Sequence, residues 1–178
     1  MTVSRVRRSL VVVEISTTGP DPRRHRIVEA AGVDTSTGRS VVVCWPVTAD
    51  DVVDPEYVRP ACSHRSGGDV AGGVGELGAL LAGHTLGSTD PVVTAAFMLR
   101  LFARFGVVAG WHSRLADLGA MVAGARGLPA AALPDLASIA ALLAVGAPGP
   151  RPGAEDAAWC AARCFGELAG SGAPTTSV

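Results

Sequence analysis

The sequence contains no lysine, because all 15 of its basic residues are arginine, and these are balanced by 16 acidic residues for a net charge of −1. This balance argues against a chain that holds nucleic acid through an overall basic surface. Aromatic residues make up only 4% of the chain, which leaves few side chains on which bases could stack. Composition alone therefore does not point to nucleic acid.

Long hydrophobic runs are also missing, although 48% of the residues are hydrophobic and the mean hydropathy is +0.35. No apolar run approaches the roughly 18 residues needed to span a bilayer. The apolar stretch near the N-terminus ends at Glu14, which is too soon for a signal peptide and favours a strand. We therefore expect a cytoplasmic protein, or a virion-associated one if it comes from a phage, with no membrane partner.

Cysteine is sparse, with four residues in the chain. Cys160 and Cys164 are four residues apart in a helical pattern and therefore share one face of a helix. We interpret them as small buried apolar residues and expect no disulfide in a reducing compartment.

A chain of 178 residues is long enough for one domain with its own core. Three β-branched segments, residues 9–17, 26–34 and 40–47, predict consecutive strands in an antiparallel meander. Later segments predict alternating helices and strands: helices over 74–82, 91–105, 118–125, 136–145 and 154–169, and strands over 84–88 and 111–116. We expect an N-terminal arm (1–8), one α/β domain (9–169) and a disordered tail (170–178).

The first strand and the turn after it form a distinctive motif. Residues 10–32 read LVVVEISTTGPDPRRHRIVEAAG, in which a buried strand carries Glu14 and Ser16 before a Thr-Thr-Gly turn. The next strand then opens with Arg-Ile-Val-Glu. Acidic and hydroxyl side chains near the end of a buried strand are candidates for a functional site.

Two later segments add candidate residues at the starts of helices. Residues 88–98 read STDPVVTAAFM, with Asp90 and Thr94 near the beginning of a helix. Residues 151–159 read RPGAEDAAW, with Arg151 just before the last helix and Asp156 in its first turn.

Taken together in this order, the three segments resemble the motifs of the DEDDh-type 3′–5′ exonucleases. The resemblance covers about residues 9–168, and residues 111–126 resemble an actinobacterial or phage branch of that family. It implies an RNase H-like fold, with a mixed five-stranded sheet flanked by helices. In that sheet a three-stranded antiparallel meander precedes two strands that alternate with helices.

The resemblance also shows where this chain departs from the family pattern. Glu14 and Ser16 stand where the family has Asp and Glu, and Thr94 stands where it has Asp. Arg151 occupies the position of the general-base His, so that Asp156 alone is unaltered. The family hydrolyses phosphodiesters with two divalent ions held by four carboxylates. Arginine stays protonated and cannot act as the base.

These substitutions predict a degenerate active site in which no catalytic residue set is intact. We expect no cofactor, or Mg²⁺ or Mn²⁺ at Glu14 and Asp156 if activity remains. Glu14 is expected to pair with Arg151 or another arginine.

Three functions remain open. The first is a structural or protein-interaction module with an unknown protein partner, within a phage or replication assembly. The second is a nucleic-acid-binding module that uses Thr17, Thr18 and Arg151 in the old groove without hydrolysis. The third is a residual metal-dependent exonuclease, with a further ligand supplied by residues 48–73. A homodimer is compatible with each of the three.

Overall fold

The computed structural model describes residues 8–57, 69–149 and 152–171, with no side-chain placement at residue 171. The strands are β1 (Leu10–Thr17), β2 (Ile27–Asp34), β3 (Ser40–Cys44), β4 (Thr85–Ser88) and β5 (Ala116–Asp117). The helices are α1 (Val70–Leu81), α2 (Pro91–Phe105), α3 (Leu118–Arg126), α4 (Leu136–Leu142) and α5 (Ala154–Ser171), and a 3₁₀ turn spans Pro55–Tyr57.

The five strands form one mixed sheet in the order β3-β2-β1-β4-β5. β1 pairs antiparallel with β2, and β2 pairs antiparallel with β3, so the first three strands form the expected meander. β4 pairs parallel with β1 and β5 parallel with β4. The fold class predicted from the sequence is therefore confirmed.

Both faces of β1 are covered, which explains its continuous apolar sequence. Successive strand residues point to opposite faces. Val11 and Val13 belong to the core beneath α1 and α2. Val12 belongs to a second core formed with α3, α4 and α5. The sheet is therefore a middle layer between two groups of helices.

Aspartate side chains cap the N-termini of four helices. Asp69, Asp90, Asp117 and Asp135 each accept a hydrogen bond from a backbone N–H within the first turn of α1, α2, α3 and α4. Such caps satisfy donors that have no partner inside the helix. The cap at Asp69 explains why α1 begins at Val70, four residues before the predicted start.

Two sequence predictions were wrong: the bounds of the fifth strand and the absence of a disulfide. The fifth strand comprises only Ala116–Asp117 rather than 111–116. Residues 111–115 instead form a bend in which the backbone N–H of Arg114 donates to Nδ1 of His112 at 3.2 Å, and only Ala116 and Asp117 pair with β4. Cys44 is disulfide-bonded, against the expectation of no disulfide, since pairing cannot be deduced from cysteine spacing alone.

Among the described residues, no helix is both long enough and apolar enough to cross a membrane.

Candidate functional site

The candidate site lies where β1 reaches the carboxyl end of β4. Val12 pairs with Gly87, so two residues further along β1 Glu14 is level with the turn that follows β4. α2 begins in the same place, since Pro91 is its first residue. The parallel pairing of β1 with β4 therefore places Glu14 beside Ser88, Thr89 and the first turn of α2.

Glu14 is held by hydroxyl and amide donors. The backbone N–H of Thr89 donates to Oε1 at 2.8 Å, and the Thr89 hydroxyl donates to Oε2 at 2.9 Å. The Ser88 hydroxyl donates to Oε1 at 3.3 Å and lies 2.9 Å from the hydroxyl of Thr94. We call these four residues (Glu14, Ser88, Thr89, Thr94) the hydroxyl cluster.

Burial governs the electrostatics of the cluster. The residue exposure of Glu14 is only 8%, and this burial raises the pKa of its carboxyl from 4.5 to about 7. The hydrogen bonds from Thr89 and Ser88 lower the pKa in part, whereas the negative charge of Asp90 raises it slightly further. Near neutral pH the carboxyl is therefore shared between its neutral and charged forms.

The prediction that Glu14 pairs with an arginine finds no support among the described residues. The ion pair found there joins Arg26 to Asp51, away from Glu14. Arg151, the predicted partner, lies outside the described residues. Among the described residues, hydroxyl groups and the backbone amide of Thr89 donate to Glu14.

The other predicted site residues occupy different surroundings. Ser16 is buried on the same face of β1 as Glu14, opposite Glu29 of β2. Thr94 is buried in the first turn of α2. Asp156 is exposed in the first turn of α5, where its charge favours the helix dipole.

Glu29 also belongs to this part of the molecule. A methyl group built on Gly153, one residue before α5, would lie 3.1 Å from Oε2 of Glu29. The carboxylate of Glu29 therefore lies against the backbone that leads into α5. Sequence reasoning placed Glu29 in the motif but not in the site, although its pairing position opposite Ser16 follows from the hairpin register.

The two threonines predicted to contact nucleic acid make hydrogen bonds within the turn that follows β1. The Thr17 hydroxyl donates to the carbonyl of Gly19 at 2.9 Å. The Thr18 hydroxyl accepts the backbone N–H of Arg26 at 3.2 Å. At Gly19 a methyl group would lie 2.5 Å from the ring of His25, so this position requires glycine for close packing. These bonds account for the Thr-Thr-Gly pattern through turn geometry.

The donors around Glu14 in the described part of the chain do not make up a ligand set for two divalent ions. Among residues 8–57, 69–149 and 152–171, no three His, Cys, Asp or Glu side chains converge to hold a metal. Both oxygens of Glu14 already accept hydrogen bonds, and its neighbours Ser88 and Thr94 are neutral hydroxyls. Magnesium favours charged oxygen ligands in octahedral geometry. Residues 58–68, part of the segment expected to supply a replacement ligand, lie outside the described residues.

Comparison with known proteins finds no matching family model and no matching curated protein. Solved structures do match. Exonuclease I from Methylocaldum szegediense is similar with a TM-score of 0.67 and 16% identity over 94% of this chain and 41% of that chain. The nuclease domain of 3′hExo, a DEDDh family member bound to rAMP, is similar with a TM-score of 0.62 and 13% identity over 92% of both chains.

A second Exonuclease I structure, without ligand, has a TM-score of 0.61 and 13% identity over 92% of this chain and 42% of that one. This chain thus spans about two fifths of the Exonuclease I structures and nearly all of the 3′hExo domain. At these identities the likeness establishes the exonuclease fold.

Proposed function

We propose that this chain is a catalytically silent exonuclease-fold protein that works by binding, as a structural or protein-interaction module. The observation that carries the proposal is the state of Glu14. Its carboxylate is buried, accepts hydrogen bonds at both oxygens and has a pKa near neutrality. A fold by itself does not fix a function, so the proposal rests on this site.

A divalent ion at Glu14 would have to displace the hydrogen bonds that already satisfy the carboxylate. A metal ligand must also be deprotonated, yet burial favours the neutral form of Glu14. Thr94, close to the same cluster, offers a neutral hydroxyl that is already paired with Ser88. The polar groups of the hydroxyl cluster are therefore satisfied by one another and need no metal ion as a partner.

An exposed apolar stripe on α2 supports the binding role. Val92, Ala96, Leu99 and Ala103 follow one another at spacings of four, three and four residues, which places them on one side of the helix. Val92 is 72% exposed and Leu99 is 51% exposed. This heptad-like spacing suits the docking of a partner helix, and we call these four residues the α2 stripe.

The decisive experiment incubates the purified chain with end-labelled single-stranded and double-stranded oligonucleotides, in Mg²⁺ and separately in Mn²⁺. Glu14→Gln and Asp156→Ala serve as matched controls, because each removes one carboxylate of the degenerate set. We expect no cleavage above the controls. Cleavage by the native chain that both controls abolish would contradict the proposal.

The α2 stripe has its own test. Leu99→Glu places a charge in the centre of the stripe, and Arg39→Glu, an exposed change beside the β2–β3 turn, is the control. If a second copy of this chain covers the stripe, light scattering at increasing concentration will show a dimer that Leu99→Glu abolishes and the control retains. A dimer that both variants retain would remove the stripe from the proposal.

The same samples on a native gel address the alternative function, retention of nucleic acid without hydrolysis. The hydrogen bonds that Thr17 and Thr18 make within the turn favour a turn-forming role for them over contacts with nucleic acid. A salt-dependent shift of the oligonucleotide that Glu14→Gln alters would replace the first proposal with this alternative.

A further inference from the structure

A pocket with a volume of about 360 Å³ lies between α2 and the ends of two strands. Arg26 and Ile27 at the start of β2 and Trp45 just after β3 line one side. Phe97, Leu101 and two arginines of α2 line the other. Its volume lies within the range of small-molecule sites.

The pocket is separate from the hydroxyl cluster because it lies on the other face of the sheet. Ile27, Trp45 and Phe97 belong to the core that Val11 and Val13 share with α1 and α2. Glu14 follows Val12, whose side chain points to the α5 face. A ligand in this pocket would therefore not touch the degenerate site.

The rim of the pocket is cationic. Arg100 and Arg104 are four residues apart on α2 and thus on the same side of the helix, and both are exposed. Arg26 is anchored by Asp51 and the carbonyl of Pro46. Among the described residues no carboxylate lines the pocket, so the charges of Arg100 and Arg104 are not neutralised within it.

The floor of the pocket is apolar, and its side chains are mostly buried. Trp45 is 9% exposed and Phe97 is 3% exposed, and Leu101 packs partly buried against the same core. An inorganic anion would contact the arginines but leave this apolar surface unused. The combination suits an anion that carries a flat, weakly polar body.

We propose that this arginine pocket (Arg26, Trp45, Phe97, Arg100, Leu101, Arg104) binds a nucleoside monophosphate, either free or as the phosphorylated end of a strand. The phosphate lies between the guanidinium groups of Arg100 and Arg104, whose planar forks match phosphate oxygens. The base lies toward Trp45 and Leu101. This inference does not rest on the proposed function, because the hydroxyl cluster takes no part in it and the α2 stripe shares only Ala103 with the pocket lining.

Calorimetry tests the proposal with AMP, adenosine and inorganic phosphate as separate probes. We expect AMP to bind more tightly than either fragment, because each fragment uses only one half of the pocket. Arg100→Gln and Arg104→Gln should each weaken AMP binding about tenfold, the loss of one charge-assisted hydrogen bond. Both side chains are exposed, so the variants should fold, which circular dichroism will verify.

The matched control is Arg39→Gln, which also removes one positive charge. Arg39 precedes β3, whereas Trp45 of the pocket follows the other end of that strand, and Arg39 does not line the pocket. AMP affinity should be unchanged in this control and in Glu14→Gln. Equal weakening in Arg39→Gln would mean nonspecific charge attraction and would overturn the proposal. Loss of AMP binding in Glu14→Gln alone would place the nucleotide on the other face, which also overturns it.

Competition then distinguishes the two sources of the phosphate. A 5′-phosphorylated oligonucleotide that displaces AMP, while its 5′-hydroxyl counterpart does not, identifies a strand end as the ligand. Failure of both oligonucleotides to displace AMP identifies the free nucleotide. No heat of binding with AMP at millimolar concentration, or equal affinity for AMP and inorganic phosphate, would contradict the pocket as a nucleotide site.

Discussion

The two faces of the sheet differ in whether their charged side chains are buried or exposed to solvent. On the α5 face the hydroxyl cluster buries a single carboxylate and surrounds it with neutral donors. On the α2 face the arginine pocket leaves Arg100 and Arg104 exposed above an apolar floor. One helix serves both regions, since Thr94 in its first turn joins the cluster and Arg100 further along lines the pocket.

The difference teaches that solvent exposure decides how each charge can act. A buried carboxylate without a cation among the described residues responds by taking up a proton, as the raised pKa of Glu14 records. Exposed guanidinium groups remain charged at all physiological pH values and stay available to an outside anion. The first region is therefore internally satisfied, and the second is open to a ligand.

The sharpest way to break this contrast is Glu14→Gln, which makes the cluster neutral at every pH. The pKa of Glu14 is higher in the folded chain, about 7, than the ordinary 4.5. Between these values the folded state binds more protons, so the free energy of unfolding falls as pH rises. The total loss of unfolding free energy is about 3 kcal/mol. Above pH 7 the variant should be more stable than the native chain by up to about that amount.

Urea unfolding at a series of pH values between 4 and 8 measures this difference. Below pH 4.5 both chains carry a neutral side chain at position 14, so their stabilities should agree within about 1 kcal/mol. A variant that follows the same pH profile as the native chain would show that another group carries the titration, and the contrast between the two faces would lose its basis.

A smaller effect on the free energy of unfolding is expected at Thr94 and Ser16, the two hydroxyl residues that stand where the DEDDh-type exonucleases have acidic residues. Thr94→Val keeps the volume but removes the hydroxyl that pairs with Ser88, and should lower the free energy of unfolding by about 1–2 kcal/mol. Ser16→Ala should change it by less than about 0.5 kcal/mol, because among the described residues no hydrogen bond involves the Ser16 hydroxyl. Equal losses in thermal or urea unfolding would show that the cluster extends to Ser16.

Much of the fold could be predicted from the sequence because strand signals here are strong. The β-branched residues of β1 and the turn before β3 gave the meander, and the caps at Asp117 and Asp135 gave the starts of α3 and α4. The fifth strand was predicted, but with wrong bounds, since the pairing of β5 is set by β4 and not by a local pattern.

The site was less predictable because its partners come from distant parts of the chain. Glu14 and Thr94 followed from the motifs, but the hydrogen bonds of Thr89 to Glu14 join residues 75 positions apart and depend on parallel pairing. The arginine pocket as a whole was not predicted, since Arg26, Trp45 and Arg100 meet only in the folded chain. Helical spacing alone could have paired Arg100 with Arg104.

The finest test of the contrast is Asp90→Asn, which removes a negative charge near Glu14 but keeps the helix cap. Asparagine caps helices about as well as aspartate, so the bond from the Val93 N–H to the side chain at position 90 should persist.

Of the causes that act on the pKa of Glu14, the charge of Asp90 is the smallest, and it raises that pKa. Its removal should therefore shift the pH at which stability falls to a slightly lower value. The pH series of urea unfolding detects this shift, and AMP affinity at the arginine pocket should stay the same because the pocket lies on the other face. A shift to higher pH would mean that Asp90 stabilises the charged form of Glu14, and the hydroxyl cluster would then hold its carboxylate by some means other than the donors found here.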